Sequence, residues 1–385
     1  MGHPRRADPA HPGRAPPHPR GRVVRVVLAP DSFKGTATAT EAARALADGW
    51  RSVRPGDELV PLPMADGGEG TLDAVSTAHP GSTLHEVAGC TGPDGAPVTG
   101  RYALLPDGTA LVELATASGL PLLGGRLAPL TATTRGTGET IAAALDAGAT
   151  AVTVALGGSA STDGGAGLLG ALGLHVRGRS GARLPDGGGA LAALGSIDLS
   201  TLRAAPPGGV RLLTDVTNPL LGPDGAAAVY GPQKGAGATD TALLERGLRR
   251  FAELLGGDPD QPGAGAAGGT AYGLAAAWGA RITPGAAAVA DLLGLDAALA
   301  RADVVVTGEG RFDATSLLGK AVGEVIARAE RAAVPVRVVA GDSADERALT
   351  LVSLAGDGSD AARRAAHWLL RAGAALARSF DPATD

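Results

Sequence analysis

The sequence predicts an α/β protein with mostly parallel sheets flanked by helices, arranged as two α/β domains. Short apolar runs alternate with alanine-rich helical stretches from Val23 onwards, which is typical of alternating strands and helices. Several predicted strands are apolar along most of their length, as expected when helices cover both faces of a sheet. The chain has 385 residues, which is enough for one large or two ordinary domains.

The first half of the chain begins with a strand and a helix whose start is marked in the sequence. Thr38 and Glu41 form a capping-box pair, which predicts a helix from residue 39. Further along, two alternating runs flank Pro106-Asp107-Gly108 and predict a β-hairpin. The predicted strands are 23–29, 58–62, 98–105, 109–116, 150–156 and 211–215, and the predicted helices are 39–53, 71–78, 138–147 and one from about Asp163.

The last third of the chain repeats the alternation. An apolar strand ends in the motif GEGRFD, and a helix follows it. The predicted strands are 303–308, 336–340 and 348–354, and the predicted helices are 317–332 and 359–378.

Composition excludes several classes of protein. Hydrophobic residues make up 44% of the chain but few of them are aromatic, so we expect a core of Ala, Val and Leu despite 60 glycines and 27 prolines. The single cysteine, Cys90, cannot form an internal disulfide, and no Cys/His spacing indicates a zinc site. The net charge is −5, and an acidic body with few aromatic residues argues against nucleic-acid binding. No run is apolar enough to predict a membrane span.

Residues 1–22 differ from the rest of the chain. They carry five Arg and one Asp among Pro and His, with almost nothing to bury. We interpret them as a disordered, basic, proline-rich tail without a catalytic role, or as sequence upstream of the true start. They do not resemble an export signal, so we expect a cytoplasmic protein.

Glycines, carboxylates, hydroxyls and lysines follow five of the predicted strands. Ligands of open α/β sheets bind beyond the carboxyl ends of the strands. Each loop alone has an ordinary explanation, since glycines turn the chain and Asp or Ser caps helices. Together they indicate a phosphoryl-transfer site, because glycine lets backbone N–H groups approach phosphate and carboxylates hold Mg²⁺. The loops are APDSFKG from 29, PMADGGEGT from 63, GGSASTDGG from 157, TDVTN from 214 with GPQKGA from 231, and GEGRFD from 308 with Lys320 beyond it.

Three common enzyme signatures give no support to other classes. The only Gly-Lys pair, Gly319-Lys320, is followed by Ala321, so a Walker P-loop is absent, and GxSxG is also absent. GxGxxG occurs twice, which is about what chance gives at this glycine content. A nucleotide- or sugar-binding oxidoreductase therefore has little support.

The loop motifs, in this order, resemble those of the bacterial glycerate kinase family, of the glycerate 2-kinase type. The resemblance runs from about Val23 to Gly341. It implies ATP- and Mg²⁺-dependent phosphorylation of D-glycerate, generally on the 2-hydroxyl to give 2-phosphoglycerate. It also implies a chain that leaves one domain and returns to it, with the active site in the cleft between the two. We place these domains at about 23–85 plus 286–385 and at 86–285.

The resemblance carries over motif by motif, and phosphoryl-transfer chemistry suggests a role for each residue. Asp66 or Asp313 orients the attacking hydroxyl or accepts its proton, and Lys34 or Arg311 holds the glycerate carboxylate. The prediction assigns catalysis to Lys34, Asp66, Asp313 and Lys320; glycerate binding to Asp31, Ser32, Arg311 and Asn218; the phosphates of ATP to Gly157, Gly158, Ser159, Asp163, Gly164 and Lys234; and the metal to Glu69, Asp215 and Glu309.

Other functions stay open at this point. Thr315-Ser316 follow Asp313-Ala314 where family members commonly have Gln-Thr, which leaves a binding-only or regulatory descendant of the kinase as an alternative. A kinase for another small hydroxy acid, or for the 3-hydroxyl, is a second alternative. The sequence favours neither a monomer nor a homo-oligomer.

Overall fold

A computed structural model describes residues 23–33, 35–317 and 319–381. The predicted tail, residues 1–22, and Lys34 lie outside the described residues. The strands are β1 Arg25–Pro30, β2 Glu58–Pro61, β3 Thr83–Thr91, β4 Pro97–Leu104, β5 Thr109–Glu113, β6 Ala151–Ala155, β7 His175–Gly178, β8 Leu194–Asp198, β9 Val210–Leu213, β10 Arg281–Thr283, β11 Val304–Phe312, β12 Val336–Ser343 and β13 Ala348–Thr350.

Helices connect and cover these strands. The α-helices are α1 Ala39–Val53, α2 Thr71–Ala78, α3 Ala115–Ser118, α4 Arg135–Asp146, α5 Ala166–Ala171, α6 Ala226–Tyr230, α7 Ala238–Leu255, α8 Ala266–Trp278, α9 Gly285–Leu292, α10 Leu295–Leu299, α11 Ala321–Arg331, α12 Leu351–Ala355, α13 Gly358–Arg363 and α14 Ala365–Ser379. Short 3₁₀ helices occupy Leu120–Leu123, Gly188–Ala193, Pro232–Lys234 and Ala314–Leu317.

The first sheet is parallel throughout. Its five strands lie in the order β13-β12-β11-β1-β2, so strands from the two ends of the chain sit side by side. Val26 of β1 aligns with Val304 of β11 and with Leu59 of β2. Helices α1 and α14 pack on one face, where Trp50, fully buried, joins a cluster of apolar side chains.

The second sheet is mixed. Its six strands lie in the order β10-β9-β6-β5-β4-β3, parallel from β10 to β5 and antiparallel from β5 to β3. The predicted hairpin is confirmed as β4 and β5, and Gly108 N donates to Leu105 O in its turn. A separate antiparallel pair, β7 and β8, accompanies it. The α/β class with mostly parallel sheets flanked by helices is therefore confirmed.

Local signals fix several elements, and two predictions at the end of the chain are wrong. Helix α1 has the predicted bounds, and both hydrogen bonds of the Thr38–Glu41 capping box form. The predicted strand 348–354 is a strand only to Thr350, because the Thr350 hydroxyl accepts from Ser353 N and starts α12. The predicted helix 359–378 is two helices, α13 and α14, which meet at the non-helical Arg364.

One hydrophobic cluster links the two sheets. It contains Val27 of β1 and Val305 of β11 from the first sheet, and Leu111 of β5 and Leu213 of β9 from the second. Helices α2, α9, α10 and α11 add further side chains to this cluster, as does the loop after β2 through Leu62, Met64 and Ala65. The division into domains near residues 85 and 286 stays a prediction. Within the described ranges, no helix is both long and apolar enough to cross a membrane.

Candidate active site

The carboxyl ends of the two sheets meet at the loop of residues 63–70, which follows β2. Met64 N donates to Pro30 O of β1 at 2.8 Å, which ties the loop to the first sheet. Gly157 N, just after β6, donates to Gly67 O at 3.2 Å, which ties it to the second sheet. This junction combines strand ends from both sheets, where ligands of α/β proteins bind.

Glycine is required at two positions of this junction. Gly67 has a φ of +86°, and a Cβ there would lie 2.9 Å from the Leu213 Cβ. A Cβ on Gly157 would overlap the Cα of Gly68. The two loops touch backbone to backbone, so a side chain at Gly157 would force them apart.

Asp66 and Asp215 approach each other here from the two sheets. The Asp66 Oδ1 accepts from Gly68 N at 3.1 Å, and Gly285 packs against the Asp66 carbonyl. Asp215 follows β9, and its Oδ1 accepts from Gly285 N at 2.7 Å and from Ala286 N at 3.1 Å at the start of α9. Burial chiefly, and also the negative charge of Asp66, raise the pKa of Asp215 to about 6.

The second oxygen of Asp215 stands apart from this network. Its Oδ2 is buried and has no hydrogen-bond partner among the described residues. A buried carboxylate oxygen that lacks a donor is costly unless a cation or another donor reaches it. The atom therefore marks a position where a positive ligand would be stabilised.

Glu113 is a site residue that the sequence reasoning missed. It ends β5, is 6% exposed, and its Oε2 accepts from Gly70 N and Leu72 N, both at 3.1 Å. Burial is the main cause that raises the pKa of Glu113 to about 7, and the nearby Asp73 and Glu69 add to the rise. The available signal was a carboxylate inside the predicted apolar strand 109–116, which in the structure ends at Glu113. Glu69 itself is exposed.

The loop GGSASTDGG is held from beneath by a buried lysine. Lys234 is 2% exposed, and its Nζ donates to Ser159 Oγ at 2.9 Å and to Ser161 O at 2.5 Å. Burial lowers the pKa of Lys234 to about 8. These contacts make Lys234 a support of the loop. Gly157 and Gly158 lie on the loop's more open side.

Asp163 supports the same loop from its far end. It is fully buried and accepts four hydrogen bonds, from Thr134 N at 3.0 Å, Thr134 Oγ1 at 2.8 Å, Gly165 N at 3.1 Å and Gly167 N at 3.2 Å. Burial raises the pKa of Asp163. Gly164, with a φ of +65°, donates its N–H to Gly268 O at 3.0 Å. Both residues shape the loop.

The carboxyl-terminal side of the first sheet carries the next group of predicted residues. Asp31 N, directly after β1, donates to Gly308 O of β11 at 2.8 Å, which brings Asp31 beside the half-buried Glu309. The Asp31 Oδ1 accepts from Ser32 N at 2.6 Å. Asp31 and Ser32 follow β1, which pairs with β2, whereas Glu309 lies within β11 on the other side of β1.

Arg311, Asp313 and Lys320 form an exposed cluster at the end of β11. Thr315 donates its hydroxyl to Asp313 Oδ1 at 2.6 Å and its N–H at 2.8 Å, and these bonds, with the two cations, lower the pKa of Asp313. Arg311 Nε lies 3.7 Å from Asp313 Oδ2, and Lys320 Nζ donates to Thr315 Oγ1 at 3.3 Å. Thr315, one of the two residues at which this chain differs from the common family motif, thus links the Asp313 carboxylate to the Lys320 ammonium group.

Asn218 is not brought into this junction, and the three residues predicted to bind the metal do not come together there. Asn218 is engaged in its own loop, where Nδ2 donates to Asp224 O at 2.8 Å and Oδ1 accepts from Tyr230 OH at 2.6 Å. Glu69, Asp215 and Glu309 were predicted to bind the metal, yet the part of the chain that the structure describes contains no group of three or more potential ligands.

Comparison with known protein families decides the classification. The model of the glycerate kinase family matches residues 26–380. The chain belongs to the glycerate kinase family. Family membership confirms the resemblance found in the loop motifs and identifies the chain as a kinase, and a kinase family implies the use of ATP.

Relatives of this glycerate kinase family member agree along most of their length. The chain is 43% identical over 326 residues to a glycerate kinase of Bacillus subtilis, with 83% of this chain and 85% of that protein covered. It is 40% identical over 331 residues to a glycerate 2-kinase of Escherichia coli, with 84% and 86% covered. A crystal structure described as a candidate glycerate kinase 2 from Salmonella typhimurium is 37% identical, with a TM-score of 0.80 over 93% of this chain and 98% of that one.

Proposed function

We propose that this chain transfers the γ-phosphoryl group of ATP to the 2-hydroxyl of D-glycerate, giving 2-phosphoglycerate and ADP. The observation that carries the proposal is the meeting of Asp66, Asp215 and the Gly157 loop at the carboxyl ends of both sheets. The family supports a glycerate kinase, and the name of the Escherichia coli relative supports the 2-hydroxyl.

Asp66 is the proposed group that orients the attacking hydroxyl. In the transfer, a bond forms between the hydroxyl oxygen and the γ-phosphorus, and the bond from that phosphorus to the oxygen of ADP breaks. The hydroxyl proton is transferred to the Asp66 carboxylate. Asp66 is half-buried and at the sheet junction, whereas Asp313 is exposed and already bonded to Thr315. We therefore favour Asp66 over Asp313.

The backbone at Gly157 and Gly158 is the proposed cradle for the phosphates, with Gly158 as the proposed N–H donor because the N–H of Gly157 already donates to Gly67 O. Phosphate needs N–H groups at close range, and glycine permits that approach. The loop is held in shape by hydrogen bonds within it and to its neighbours, which are made by Ser159, Asp163, Gly164 and Lys234. A fixed loop supplies its donors without reorganisation during transfer.

Mg²⁺ fits the carboxylates of this junction. It usually takes one or two protein carboxylates and completes its shell with water and phosphate oxygens. The buried, unpartnered Oδ2 of Asp215 and the neighbouring Asp66 are the donors that we propose for it among the described residues. When bound, Mg²⁺ neutralises charge on the phosphates. Glu69 and Glu309 are weaker proposals, since the metal does not require a third carboxylate.

The glycerate carboxylate is the proposed partner of the cationic cluster at the end of β11. Arg311 is 81% exposed in its side chain and presents a planar fork suited to a carboxylate, with Lys320 nearby through Thr315. Asp31 and Ser32 lie along the same edge and are proposed to meet the substrate hydroxyls. Lys34 keeps its proposed catalytic role on the sequence motif alone, and Asn218 is proposed to act only through its loop.

The test is phosphate transfer from ATP–Mg²⁺ to D-glycerate, coupled to enolase and pyruvate kinase without phosphoglycerate mutase. Only 2-phosphoglycerate feeds enolase, so pyruvate reports the proposed reaction. ADP without pyruvate would indicate the 3-hydroxyl or ATP hydrolysis. A folded protein that binds ATP but forms neither product would support the binding-only alternative. Turnover of another hydroxy acid would mean that the substrate is that acid and not glycerate.

Since ATP is its proposed substrate, we infer that the protein works in the cytoplasm.

A further inference from the structure

Helix α2 lacks a capping side chain of its own, although its N-terminus faces the sheet junction. Its N-cap is Gly70, in the left-handed region with a φ of +89°, and no side chain of the helix's own segment caps it. The first N–H groups of a helix have no partner within the helix. Glu113 supplies one from the second sheet, because its Oε2 accepts from both Gly70 N and Leu72 N.

These hydrogen bonds act on the loop that carries Asp66. Between them, Thr71 donates both its N–H, at 3.3 Å, and its hydroxyl, at 2.7 Å, to Gly68 O. Gly68 N in turn donates to Asp66 Oδ1 at 3.1 Å. A continuous series of contacts therefore runs from Glu113 through the start of α2 to the Asp66 carboxylate.

We propose that Glu113 is a positioning residue: its carboxylate, fixed at the end of β5, sets the place of Asp66 by holding the start of α2. The inference rests on the proposed function of Asp66. The inference adds to that function a role for the second sheet, which places a residue on the loop after β2 of the first sheet. Glu113 contacts the loop backbone, so it acts through Asp66.

Three substitutions separate the hydrogen bonds from the volume of the side chain. Glu113→Gln keeps an oxygen acceptor at the same length. Glu113→Met has similar size but no strong acceptor, which leaves the N–H groups of Gly70 and of the buried Leu72 without this partner. Glu113→Asp keeps the charge but draws the acceptor back by one methylene. A matched control is Asp57→Asn, which alters a carboxylate that is also buried and accepts from Val24 N, but at the amino end of β2.

We expect kcat for glycerate phosphorylation to fall at least tenfold in Glu113→Met and by an intermediate factor in Glu113→Asp. Glu113→Gln keeps kcat within threefold, because its amide oxygen still holds the helix start. The KM for ATP changes by less than threefold in all of them, since the contacts of Ser159 and Lys234 are untouched. Asp57→Asn leaves kcat unchanged even where it lowers the melting temperature.

A second readout does not depend on turnover. Amide hydrogen exchange of the peptide covering residues 66–74 speeds up in Glu113→Met and stays as in the wild type in Glu113→Gln. If Glu113→Met keeps the wild-type kcat, or if Gln and Met behave alike in exchange, the positioning role is overturned. Should Met fail to fold, the Asp variant decides by the same two measurements. If the wild type itself does not phosphorylate glycerate, the proposed function fails and the exchange experiment alone judges Glu113.

Discussion

Replacing Gly157 with alanine would place a methyl group against the Cα of Gly68, where the loops after β6 and β2 touch. Carbon atoms need about 3.5–4.0 Å between them, so the loops must separate by roughly 1 Å or more. A misplacement of about 1 Å between reacting groups costs on the order of 10²-fold in rate. We therefore expect kcat/KM for glycerate to fall about 10²-fold, which is about 2.7 kcal/mol in activation free energy.

The coupled pyruvate assay measures this loss, and Gly56→Ala is its matched control. A Cβ on Gly56 meets nothing within 4 Å, so the same substitution there should leave kcat/KM within twofold of the wild type. Thermal unfolding of both variants checks that they are folded. A folded Gly157→Ala enzyme with near-normal kcat/KM would refute the reasoning, because the contact of the two loops would then be irrelevant to transfer.

Three further predictions concern the carboxylates. Asp66→Asn should lower kcat/KM by at least ~10²-fold with the fold unchanged by circular dichroism, and near-normal turnover would remove its proposed role. Asp215→Asn should raise the Mg²⁺ concentration for half-maximal activity at least ~10-fold with glycerate KM nearly constant, since one donor oxygen is lost; an unchanged Mg²⁺ titration would contradict this. Glu113, with a pKa of about 7 against an ordinary 4.5, binds its proton more tightly in the folded protein. Its contribution to stability, about 3 kcal/mol, is therefore complete below pH 4.5 and lost as pH rises through 7. In Glu113→Gln, the free energy of unfolding measured with urea should depend less on pH over this range. The same pH dependence in the variant and the wild type would contradict the prediction.

Local signals in the sequence were enough for much of the fold. The capping box at Thr38 and Glu41 fixed the start of α1, and Pro106-Asp107-Gly108 fixed the hairpin, because each depends on neighbouring residues only. The same kind of signal was overlooked at Thr350, whose hydroxyl starts α12.

The site depends on contacts that the sequence does not display. Glu113 is one polar residue at the end of an apolar strand, and its partners Gly70 and Leu72 are about forty residues away. Lys234 follows a Gly-Pro-Gln turn and gave no sign that it would be buried against Ser159. The loop motifs predicted the segments that we propose to carry the chemistry, whereas burial decides which of their polar atoms lack a partner, as at Asp215 Oδ2.

The pairing of β1 with β11 affects how the chain folds while it is being synthesised. Val26 aligns with Val304, so the central partner of β1 is synthesised 278 residues later. At about 5–20 residues per second, a ribosome takes roughly 14–56 s to cover that distance. During this time the apolar strand β1 has only β2 beside it, and an unpaired edge of this kind favours aggregation. Chains that stop before residue 304 are therefore expected to depend on chaperones or to precipitate.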